Sequence, residues 1–156
     1  MTGRLNRIPL WAAAALLFAL MTAPARGTEG IVLVPSALDV KMTMDKLQKA
    51  LTEKGVTVFA RVDHAAGAKS IGQTIRPMEL IVFGNPKLGT PLIQKNPEIG
   101  LDLPVKILVF QAENATTYIA YTDPVFLTKR YGITEPANAA EQMTGMLKGF
   151  AAAASK

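Results

Sequence analysis

Two β-rich apolar runs, Val105 to Phe110 and Thr116 to Thr122, flank a polar turn at Glu113-Asn114. Such a pair closes as an antiparallel hairpin. Two strands bury too little apolar surface to stand alone, so further elements must extend the sheet and cover at least one face of it. Pro104 starts the first strand and Pro124 stops the second, because proline cannot donate to an interior ladder.

The rest of the chain supplies those elements. Ile31 to Val34 is a short strand that ends near Pro35, with residues 37–41 read as its continuation. Thr43 is the expected N-cap of a first helix, with Asp45 in its first turn and Met44, Leu47 and Leu51 at helical spacing; Gly55 closes it. Val56 to Val62 alternates, with Val56, Val58, Ala60 and Val62 on one face and Thr57, Phe59 and Arg61 on the other. A short helix is expected over 65–71. A strand follows from Met78 to Phe83, stopped at Gly84-Asn85-Pro86, and another short helix spans 88–96. After Pro124 comes a helical turn from Val125 to Tyr131. Thr134 is then the expected cap of a last helix, whose apolar stripe is Ala139, Met143, Met146, Leu147 and Phe150. The order β-α-β-β-β-β-α, with short inserted helices, implies an α+β domain: one antiparallel sheet of about five strands with its helices packed on one face.

Residues 1–25 have the make-up of a secretory signal peptide. Arg4 and Arg7 precede the apolar run Leu10 to Leu20, and Ala23-Pro24-Ala25 offers a small-residue cleavage site. The run is shorter than the ~20 residues a membrane span needs. Cleavage near Ala25 would leave residues 26–156 as a single domain, periplasmic or secreted from a bacterium; an uncleaved N-terminal anchor is the alternative. The formal charge of +5 falls to +3 without the two leader arginines. The remaining cations are scattered, so no nucleic-acid track is expected. The chain has no cysteine, which excludes disulfides, thiol nucleophiles and thiolate metal sites. Asn114-Ala115-Thr116 matches a glycosylation sequon but reads as turn residues.

Four stretches together resemble a known family. They are Phe59-Ala-Arg-Val-Asp-His64, Ile81-Val-Phe-Gly-Asn-Pro-Lys87, Leu103-Pro-Val-Lys-Ile-Leu-Val109 and Tyr121-Thr-Asp-Pro124. In order and spacing they are similar to the domain of unknown function family number 302, over roughly residues 42 to 133. The resemblance implies a fold like that of the TATA-binding protein, with the same element order, and a homodimer, common in that fold group. It carries no assigned activity and no catalytic residues.

Few residues offer chemistry. His64, the only histidine, follows Asp63 at a strand end. It is a candidate general base or a ligand to a metal or haem iron, set against a plain strand-end role in which Asp63 caps the next helix. Phe83, Gly84, Asn85 and Pro86 make a sharp turn whose amides could cradle an anion. Lys106 shares a strand face with Leu108 and Phe110, and the hairpin register sets it beside Asp123. In a simple meander the 84–86 turn, the Asp102 to Lys106 segment and Asp123-Pro124 converge at one end of the sheet, with His64 at the other. Met42 and Met44 are a weak thioether pair for copper(I). No nucleophile elbow, phosphate loop or His-Glu-x-x-His is present, and no cofactor is implied. The favoured function is a non-enzymatic envelope module that binds a small ligand or a protein and self-associates through a sheet edge or face. The alternatives are a small enzyme using Lys106 with Asp123, or His64, as acid–base groups, and a metal or haem binder through His64.

Overall fold

The computed structural model describes residues 28–156 apart from Ala137. The expected leader, residues 1–25, lies outside the described residues. Among those described, no helix is long and apolar enough to cross a membrane.

Five strands form one antiparallel sheet: β1 (Ile31–Ser36), β2 (Thr57–Asp63), β3 (Met78–Gly84), β4 (Val105–Gln111) and β5 (Thr117–Thr122), side by side in the order β1-β5-β4-β3-β2. The helices are α1 (Val40–Glu53), α2 (His64–Ser70), α3 (Pro86–Lys95), α4 (Pro124–Arg130) and α5 (Ala139–Ala154), with a 3₁₀ turn at Pro97–Leu101. The hairpin sets the register: Ile107 lies opposite Tyr121, and on the other side of β4 Val105 lies opposite Phe83.

Alternation then sorts the strand side chains. Ile81, Phe83, Ile107, Val109, Ile119 and Tyr121 share one face and are buried there. Against them pack Met44, Leu47 and Leu51 of α1 and Met143, Leu147 and Phe150 of α5. Phe83 meets Phe150 edge-on at 6.1 Å and 79°, the arrangement that ring quadrupoles favour. Full burial of each large apolar side chain contributes about 1.5–3 kcal/mol, so this layer ties both long helices to the sheet.

Three local expectations are corrected. The cap of α1 is Asp39, whose carboxylate accepts from Met42 N at 2.7 Å; residues 37–41 therefore turn into the helix and do not prolong β1. Thr43 lies one turn inside, buried, and shares a 2.8 Å hydrogen bond with Ser36 Oγ. The last helix starts at Ala139 with Asn138 in the cap position, because Pro136 O takes the amide of Ala139 in a turn four residues after the start that Thr134 suggested. The even alternation of 56–62 is broken by a β-bulge: Val58 faces Phe83 and Ala60 faces Val82, leaving Phe59 without an opposite residue. The bulge puts Arg61, along with Val58, on the helix-covered face. There its guanidinium donates to Glu79 at 2.5 Å, Asp45 at 2.6 Å and Gln48 at 3.2 Å.

Candidate functional site

The 84–86 turn, the segment around Asp102 to Lys106 and Asp123-Pro124 do lie at one end of the sheet, since β3 ends where β4 begins and β5 ends. His64 is at the other end, next to the Asp63–Glu79 pairing. It is exposed at the first position of α2, and Asp63 accepts the amide of Ala66 at 2.8 Å. Among the described residues no three His, Cys, Asp or Glu side chains gather as metal ligands. Met42 is 51% exposed while Met44 is fully buried, so the two thioethers of α1 point apart and do not form a pair.

The expected Lys106–Asp123 pair is not formed. Lys106 Nζ donates to the backbone oxygens of Asp102 (3.0 Å) and Pro104 (3.3 Å). The Asp123 carboxylate caps α4 by accepting from Val125 N at 2.9 Å. Each side chain satisfies its own chain turn, which the register alone did not reveal. Asp102 accepts the phenol of Tyr131 at 2.6 Å and lies 3.6 Å from Arg130. That hydrogen bond raises the Tyr131 pKa. The Tyr121 hydroxyl is buried with no hydrogen-bond partner, and burial, then the charge of Asp123, raises its pKa as well.

The converging end holds two separate hollows. A small one of about 60 Å³ lies among Asp102, Lys106, Thr122, Pro124 and core side chains of α4 and α5. The larger is a cleft of about 220 Å³ beside it. Its floor is Gly84 and Pro104. One wall is α3, through Leu88, Gly89 and Ile93; the opposite side is Met143 and Met146 of α5, with Phe59 at the mouth. Phe59 is there because of the bulge, which releases its ring from the β2 ladder and leaves it 56% exposed. The two glycines make room: a Cβ at Gly84 would meet Pro104 Cβ at 3.3 Å, and one at Gly89 would meet Leu103 Cδ1 at 3.7 Å.

Of the residues expected at the site, Gly84, Asn85 and Pro86 line this cleft. Asn85 caps α3 through Lys87 N at 2.9 Å, and Pro86 takes the first helical position. Phe83 is fully buried in the core instead, because its side chain points to the helix-covered face. Phe59, Ile93, Leu103, Met143 and Met146 were not expected at a site. The only polar side chains lining the cleft are Asn85 and Thr90, and no lining side chain is ionisable. The cleft can hold an apolar molecule by shape and desolvation, and its lining offers no ionisable acid or base.

Comparisons with known proteins agree with the fold and leave the site open. The family described as "Domain of unknown function DUF302" matches residues 32–150, a wider span than the 42–133 of the sequence resemblance. A crystal structure of an uncharacterized conserved DUF302 protein from Bacillus stearothermophilus superposes with a TM-score of 0.72 at 21% identity, covering 83% of this chain and all of that one. That likeness concerns the fold alone. Two curated relatives carry the name fluoride-specific ion channel FluC 1. The one from Brucella suis is 39% identical over 104 residues, 67% of this chain and 41% of the relative; the one from Brucella abortus is 39% identical over the same share of this chain and 38% of the relative. The chain thus spans about two fifths of the length of these relatives.

Proposed function

The chain belongs to the DUF302 family, and from that premise we propose that it is a non-enzymatic binding module that takes a small apolar molecule into the cleft between α3 and α5. The observation that carries this is the cleft's lining: apolar side chains throughout, two glycines that keep the floor and one wall open, and no ionisable group. Acid–base catalysis needs a titratable group within reach of the substrate. Lys106 and Asp123 do not line the cleft, and each is bound to backbone atoms. The module works in the bacterial envelope, on the strength of the Arg4-Arg7 leader and its Ala23-Pro24-Ala25 site. An exported form whose mass begins after Ala25 tests that placement.

The test of the binding function is titration with the neutral fluorophore N-phenyl-1-naphthylamine. Met146→Trp fills the cleft from α5 and should weaken probe binding at least tenfold without changing the unfolding midpoint. Equal binding by the variant would contradict the assignment.

A second reading rests on the relatives named as fluoride channels, at 39% identity over 67% of this chain. In it the domain assists a fluoride-conducting membrane protein. Fluoride efflux from cells that is the same with and without this chain would remove that reading.

A further inference from the structure

The chain has no cysteine, so thioethers are its only sulfur groups. Of its seven methionines, all but Met1 and Met21 lie among the described residues. Burial divides these five. Met44 and Met143 are sealed in the core, at 0% and 3% exposed. Met42 is 51% exposed on α1, away from the cleft. Met78 is half-buried in a separate trough beside Ile75 and Phe110. Met146 alone is both half-open and part of the cleft wall.

We propose that Met146 is a site of reversible oxidation that empties the cleft. The inference rests on the apolar-binding reading above. Hydrogen peroxide supplies the oxygen. The thioether sulfur takes one peroxide oxygen, the O–O bond breaks, an S–O bond forms and the other oxygen leaves as water; sulfur gives up two electrons and the peroxide takes them. The product is a polar side chain in an otherwise apolar wall. The donor side chains of the lining, Asn85 and Thr90, stand on the α3 side, across the cleft from Met146. In the empty cleft, water solvates the sulfoxide oxygen. An apolar occupant expels that water and parts the oxygen from the far wall, leaving a buried acceptor without a donor. The occupant also covers the sulfur of the reduced side chain, so the filled cleft resists the oxidation that empties it. Met143, one turn earlier on α5, is shielded by its own burial and stays reduced.

Fluorescence titration with N-phenyl-1-naphthylamine, before and after peroxide treatment of the full chain, tests this. Peptide mass spectrometry reads the sulfoxide at each methionine. Oxidation of Met146 in the wild type should weaken probe binding at least tenfold, the worth of one buried unsatisfied acceptor, and methionine sulfoxide reductases should restore it. Met146→Leu, compared with itself before and after peroxide, should keep its affinity, while Met42→Leu should lose as much as the wild type. Saturating probe should slow oxidation of Met146 several-fold and leave the rates at Met42 and Met78 unchanged. Full affinity in a wild type oxidised at Met146, a loss that the reductases do not reverse, or equal rates at Met146 with and without probe would each overturn the proposal. Failure of the untreated wild type to bind the probe would overturn the apolar-binding reading itself, and this inference with it.

Discussion

A Cβ built on Gly84 would lie 3.3 Å from the Cβ of Pro104, so the end of β3 and the start of β4 approach as closely as a missing side chain allows. The Phe59 ring is 3.6 Å away on the same side. Gly84→Ala must push Pro104 outward by a few tenths of an ångström. The strain is offset by the gain from removing a glycine within a strand, so stability should stay within about 1 kcal/mol. Apolar-probe affinity should fall several-fold. Unchanged affinity would mean that the floor of the cleft does not touch the probe.

Lys106 and His64 lie outside the cleft. Lys106→Met and His64→Ala should therefore leave probe binding within twofold of wild type, read in the same fluorescence titration. A large loss in either variant would move the site to the sheet end at Asp123 or to the opposite end at His64.

Phe83 is fully buried and meets Phe150 edge-on. Phe83→Ala should cost about 3–5 kcal/mol in urea unfolding with little change in slope. Arg61→Met should cost about 1–3 kcal/mol, because it strips the buried Glu79 carboxylate of its 2.5 Å partner. The double variant Arg61→Met with Glu79→Met should recover much of that loss, since removing both partners leaves nothing unsatisfied. Additive losses would show that the pair is not coupled.

Two side chains give the stability–pH profile its limbs. The Lys41 hydrogen bond, reinforced by Arg61, holds the Asp45 carboxyl below its ordinary 3.8. Its contribution is complete above that value and is lost as pH falls through the lower folded-state value, so Asp45→Asn should flatten the acid limb. Asp45 is half-exposed, and added salt should shrink the effect. The hydrogen bond to Asp102 raises the Tyr131 phenol above its ordinary 10.0. That contribution is complete below about pH 10 and is lost as pH rises through the raised value. Tyr131→Phe should flatten the alkaline limb, and urea midpoints across pH check both.

The sheet was legible because its signals are local. The hairpin at Glu113-Asn114, the stripe Met44-Leu47-Leu51 and the prolines at 104 and 124 each report on neighbouring residues. They sufficed to give five strands in one antiparallel sheet and to bring the 84–86, 102–106 and 123–124 segments to one end, but not to place β1 beside β5. The cleft was not legible, because it is made by elements distant in the chain. Met143 and Met146 read as an ordinary helix stripe, and only tertiary packing turns Met146 toward Ile93 and Pro104. Phe59 needed a bulge that no periodicity announces. The Lys106–Asp123 pair failed for the converse reason. Register put the residues side by side, but each found a nearer backbone partner. Capping went wrong where a stronger local acceptor, Asp39, preceded Thr43.

Methyl NMR of the chain labelled at its methionines tests the cleft most directly. Met143 and Met146 line it, Met78 lies near the opposite end of the sheet, and Met42 is exposed on α1. On titration with N-phenyl-1-naphthylamine, the Met143 and Met146 signals should move together and saturate, while those of Met42 and Met78 stay in place. Movement of Met78 with Met143 and Met146 unmoved would place the apolar molecule elsewhere and contradict a cleft between α3 and α5.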